Sequence, residues 1–182
     1  LMHSNNSHSS FPWPQMAASL LLFSFGFILA WQLKPVDMNF HSTQAKVQGA
    51  LNAYALYSKE SLHAVEVAAD VKHLMPWLSD RIGRDISAPI YASLGYNFLG
   101  ARLMTEGRGA AALLMYQNPK GQRISLYISN SPYSTAAAFH NQDSVNSFIW
   151  QNQQSTFILV GEIKPKILKN LAKMTNKQLQ RF

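Results

Sequence analysis

The alternation of apolar and polar positions divides the chain into a membrane-type stretch and a longer part with mixed periodicity. Residues Met16 to Leu33, MAASLLLFSFGFILAWQL, are predominantly apolar on every side and carry no charge. As a helix this run extends roughly 27 Å, close to the thickness of a hydrocarbon core. Trp13 and Trp31 stand near its ends, where indole rings suit the membrane–water interface. No basic segment precedes the run and no small-x-small cleavage site ends it, so the pattern predicts a retained transmembrane helix rather than a signal peptide.

Beyond the span, residues 42–57, STQAKVQGALNAYALY, place Val47, Ala50, Leu51, Tyr54 and Ala55 at helical spacing. Leu62 to Ala69 alternates and predicts a strand. Asp70 is the expected N-cap of a helix running to Ile82, with Leu74, Trp77, Leu78 and Ile82 on one side. Pro76 delays its regular part and Gly83 ends it. After Ala88-Pro89 the period becomes two. YNFLGARLM, AAALLMYQ, RISLYIS, SFIWQ and TFILVGEI are divided by Glu106-Gly107-Arg108-Gly109, by Asn118-Pro119-Lys120-Gly121 and by Gln151 to Ser155. Strands joined so closely must run antiparallel. Pro165 opens a last helix, in which Leu168, Leu171, Thr175 and Leu179 oppose Lys166, Lys169, Lys173 and Lys177.

The expected fold is therefore α+β, a single transmembrane helix followed by an antiparallel sheet of about five or six strands packed with two or three helices. Its parts are a short flank at 1–15, the transmembrane helix at 16–33, a helical stalk at 34–57 and the main domain at 58–182. The 182 residues, 47% hydrophobic and only 14% charged, allow one core and an anchor. A net charge of +7 permits an anionic partner without naming one. The lysine face of the last helix reads as solvated surface, with anionic head groups as its partner if the domain rests on a membrane. Lys34 and Lys46 follow the span and no Lys or Arg precedes it, so charge alone would leave the carboxy-terminal domain in the cytoplasm.

Candidate chemistry is sparse. The absence of cysteine excludes disulfides, thiolate metal sites and a cysteine nucleophile. Gly107-Arg108-Gly109-Ala110-Ala111-Ala112 imitates a dinucleotide-binding turn, but a strand follows it where a helix is required, so it reads as a tight hairpin. His3, His8, His41, His63, His73 and His140 have no metal-ligand spacing, although His63 and His73 remain free to meet in space. Strand aromatics such as Tyr96, Phe98, Tyr116 and Trp150 read as core rather than base-stacking positions. No catalytic, cofactor-binding or metal-binding residue is assigned, and an enzyme is not expected.

From His63 onward the order of motifs resembles a known family. HAVEV (63–67), HLMPWLSDRIG (73–83), Ala88-Pro89, Leu94-Gly95-Tyr96, LGARLM (99–104), GAAALLMY (109–116) and GQRISLYI (121–128) carry the likeness. A Phe148-Ile149-Trp150 strand, a strand ending Leu159-Val160-Gly161-Glu162 and a terminal helix continue it. The stretch is similar to the extracytoplasmic part of bacterial transmembrane anti-sigma factors, or transmembrane transcriptional regulators. The resemblance covers roughly the last two thirds of the chain and the span.

The resemblance implies a cytoplasmic domain, commonly with a His/Cys zinc site, that sequesters an extracytoplasmic-function sigma factor. One helix then crosses the inner membrane, and a periplasmic domain senses or is cleaved. Residues 1–15 would be a cytoplasmic remnant and 58–182 the periplasmic sensor, an orientation opposite to the two-lysine reading. Without cysteine and with so short a lead, the sigma-binding part is absent: either Leu1 begins a fragment or the chain is a degenerate relative. The implied partners are the sigma factor, a periplasmic protease or envelope protein and the inner membrane, with no direct nucleic-acid contact. The protease would act on the stalk. The competing expectation is a membrane-anchored envelope binding module with no role in transcription.

Overall fold

The structure, a computed structural model, describes residues 38–60, 63–107, 109–130 and 136–179. The expected transmembrane helix at 16–33 and its flank lie outside the described residues. Among the described ones no helix is long and apolar enough to cross a membrane.

A seven-stranded antiparallel sheet carries the domain: β1 (Val67–Ala68), β2 (Asn97–Glu106), β3 (Gly109–Gln117), β4 (Arg123–Ser129), β5 (Ala138–Gln142), β6 (Val145–Gln151) and β7 (Thr156–Gly161), in the order β1-β2-β3-β4-β7-β6-β5. Helices α2 (Leu74–Ile82) and α3 (Pro165–Leu179) pack on one face and α1 (Met38–Tyr57) on the other. The expected α+β class and antiparallel sheet hold, with more strands than the five or six anticipated. The extra one is β5, AFHNQ, whose Asn and Gln are poor strand formers and whose residues are mostly exposed. It joins the sheet by pairing with β6, Phe139 opposite Phe148.

Period two decides the two faces. In β3, Ala112, Leu114 and Tyr116 belong to the core shared with α2 and α3, whereas Ala111, Leu113 and Met115 belong to the core shared with α1. On α3, Leu168, Leu171 and Thr175 are fully buried and Lys166, Lys169, Lys173 and Lys177 are exposed, as the spacing predicts. Each buried leucine contributes about 2 kcal/mol of apolar burial.

Local signals mostly act where expected. The Asn118 side chain accepts from the N–H groups of Lys120 and Gln122 at 3.0 and 2.9 Å, and Gly121 takes φ +79° to close the β3–β4 turn. Gly83 ends α2 in the left-handed conformation. Three boundaries differ. The strand expected over 62–69 pairs as β1 only at Val67–Ala68, opposite Ala101 and Gly100. Helix α2 starts at Leu74 with His73, not Asp70, at its N-cap, which puts Pro76 in the first turn where its missing N–H costs nothing. Helix α1 begins at Met38, and Ala55 of its expected apolar face is exposed while Ala53 is buried.

Candidate functional site

The segment that the sequence assigns to a stalk is a layer of the domain. Val47, Ala50, Leu51, Ala53 and Tyr54 of α1 are buried against Ala111, Leu113, Met115, Tyr127, Ile149, Ile158 and Val160 of the sheet. Lys46 lies on the same helix face, one turn before Ala50, and is only 7% exposed. Its ammonium donates to the Ser129 hydroxyl at 2.9 Å and forms an ion pair with the Glu106 carboxylate. A lysine in an otherwise apolar face was the available sequence signal for this contact, but its partner was not legible.

The carboxy-terminal end of α1 is fastened differently. The Tyr54 hydroxyl donates to the carbonyl of Arg123 at 3.1 Å and accepts from the N–H of Glu162 at 3.3 Å. Burial first, and then the Glu162 carboxylate, raise the Tyr54 phenol above its ordinary range, against the lowering effect of the hydrogen bond from Glu162 N–H. The Arg123 guanidinium donates to the carbonyls of Tyr57, Ser58 and Glu60, at the helix end and in the turn just beyond it. Arg102 stacks its guanidinium over the Tyr57 ring, 4.1 Å from the centroid, and donates to the His63 carbonyl at 2.7 Å.

A cavity of about 1150 Å³ opens beside α2, lined by Met75, Ile128 and Phe157 together with Arg84, Asp80 and Asp85. Arg84 donates to Gln154 at 3.2 Å and to the Ser155 hydroxyl. Burial lowers its pKa and the Asp85 charge acts against that effect. With one engaged guanidinium and two carboxylates, this wall offers an anion no surplus of positive charge.

Among the described residues no three His, Asp or Glu side chains come together to hold a metal. His63 and His73 are exposed, His140 stands on β5, and His3, His8 and the side chain of His41 lie outside the described residues. Gly107 belongs to the β2–β3 hairpin, with Glu106 paired to Gly109, and Gly109 to Ala112 are strand where a dinucleotide-binding turn requires a helix. No family model matches the chain, and no curated protein matches it in sequence.

Proposed function

We propose that the chain is a membrane-anchored anti-sigma-factor-type transcriptional regulator of the bacterial inner membrane, represented by a transmembrane helix at 16–33 and a periplasmic sensing domain. The observation that carries the proposal is the burial of α1 against the sheet. The helix that follows the candidate span is part of the domain's core, so a change in the domain acts on the segment leading back to the span. The motif order supports the same reading: HAVEV runs into β1, HLMPWLSDRIG contains α2, and LGARLM and GAAALLMY are the paired strands β2 and β3. In this reading an extracytoplasmic-function sigma factor is held on the cytoplasmic side of the span by a part of the protein that these 182 residues do not include, and the domain controls the access of a periplasmic protease to the segment 34–57. It has no enzymatic step and no direct contact with nucleic acid.

The second reading is an envelope binding module that regulates no transcription, favoured by the cavity beside α2. Affinity capture of the protein expressed from its complete natural reading frame separates the two. The regulator reading expects a sigma factor that is lost when the residues upstream of the span are deleted. Envelope proteins alone among the captured partners would overturn it.

A further inference from the structure

The two faces of the sheet are built unequally. The face toward α2 and α3 holds a core of leucines, isoleucines and aromatic rings, including the stacked pair Trp150 and Phe157 with centroids 5.3 Å apart, and its unpartnered polar atoms, the Tyr116 hydroxyl and the Trp150 indole N–H, sit at the ends of large rings and carry no charge. The face toward α1 is partly polar: Ser125 and Ser147 project from β4 and β6 on either side of Val160, with which both are in register. Both hydroxyls are buried without a hydrogen-bond partner, as is that of Thr43 on α1. The helix answers with small side chains, Ala50 and Ala53, and with the ion pair of Lys46 and Glu106.

Buried hydroxyls without partners and desolvated charges weigh against the docked arrangement. When α1 lifts away, water reaches all of them, which offsets part of the apolar area exposed. The sheet itself keeps its other core. The two ends of α1 also differ in how they are held. Tyr54, Tyr57 and the carbonyls that follow are fixed by Arg102 and Arg123. Earlier in the helix, Lys46 is held by Glu106 and Ser129.

We propose that α1 is a strap that opens from its amino-terminal end about a hinge at residues 57–60, with Lys46 and Glu106 as its clasp. Opening bares the row Ser125, Val160, Ser147 while the strands and the core beneath α2 and α3 stay folded. The inference deepens the regulator reading by giving it a moving part next to the candidate span. It does not require that reading to be right, because strap opening and sigma-factor capture are measured separately.

Hydrogen exchange with mass spectrometry on the full chain in detergent micelles tests it. In the native protein, amides of residues 42–52 are expected to exchange at least tenfold faster than those of β3, β4 and β7. Glu106→Gln should speed exchange in residues 42–52 at least tenfold further and leave the three strands unchanged. Replacing both partners, as Lys46→Met with Glu106→Leu, should return α1 to native protection or better. Exchange of α1 and the strands at one common rate in the native protein would overturn the proposal, as would a Glu106→Gln variant that loosens both together. If that variant does not fold, the native comparison decides alone.

Discussion

The hydroxyl of Tyr54 donates to the Arg123 carbonyl at 3.1 Å, which ties the last turn of α1 to the first residue of β4. The same oxygen accepts from Glu162 N–H just after β7, so one phenol joins three elements. Tyr54→Phe removes both bonds and leaves the ring in place. The expected loss is about 1 to 2 kcal/mol of unfolding free energy, measured by urea denaturation. The strap hinge should loosen in parallel, seen as faster amide exchange over residues 54–60. An unchanged denaturation midpoint would mean that water replaces both partners without loss.

The tyrosines make the domain sensitive to alkali. Burial is the leading cause that raises Tyr54, Tyr91, Tyr96, Tyr116 and Tyr127 above the ordinary phenol value of 10.0, and Tyr116 also feels Tyr91 while Tyr127 feels Glu106. A phenol whose folded pKa exceeds its unfolded value holds its proton longer in the native state, so the native state binds more protons above pH 10. Stability is therefore full below the unfolded value and declines as pH rises beyond it. Ultraviolet difference absorbance at 295 nm should show these five groups ionising together with unfolding. A smooth titration of all tyrosines near pH 10 in a protein that keeps its circular dichroism would contradict the burial argument.

Gly100 is predicted to tolerate no side chain. Its φ is +142°, and a Cβ would stand 2.2 Å from the Val67 carbonyl oxygen and 2.9 Å from the Ala68 Cα. Gly100→Ala should separate β1 from β2 and lower the thermal midpoint. The damage should stay near residues 63–70, because β1 is two residues long and pairs with β2 through Val67 and Ala68, with Glu66 and Ala69 N–H groups bonded to Ala101 and Leu99 on either side. Amide exchange localised to that segment is the expected result; loss of protection across the sheet would show that β1 belongs to the central cooperative unit.

Helix α3 allows an internal contrast. Leu171→Ala empties a fully buried position and is expected to destabilise the protein by about 2 to 5 kcal/mol. Lys169→Ala, two residues away on the exposed face, should leave the denaturation midpoint unchanged. If the two substitutions had similar effects, the two-faced assignment of α3 would be wrong.

Features that depend on neighbours along the chain are legible in the amino-acid order. The short apolar runs Ala110 to Gln117 and Arg123 to Ser129, bounded by turn residues, specify strands buried on both faces. Asn118 and Gly121 specify the turn between them through one side-chain acceptor and one left-handed residue, and the spacing of Leu168, Leu171 and Thr175 specifies the buried face of α3.

Features that depend on residues far apart emerge once the chain has folded. The placement of β7 between β4 and β6, and the recruitment of β5 to the edge, follow from pairing energies that no local pattern contains. In the sequence Lys46 stands beside the apolar positions of a stalk helix, and nothing local says what that face meets. Its burial is tolerated because Glu106 and Ser129, brought beside it by the β2–β3 hairpin and β4, replace the water it loses. A side chain's own chemistry states what burial would cost, whereas the partners that meet that cost exist only once the sheet has formed.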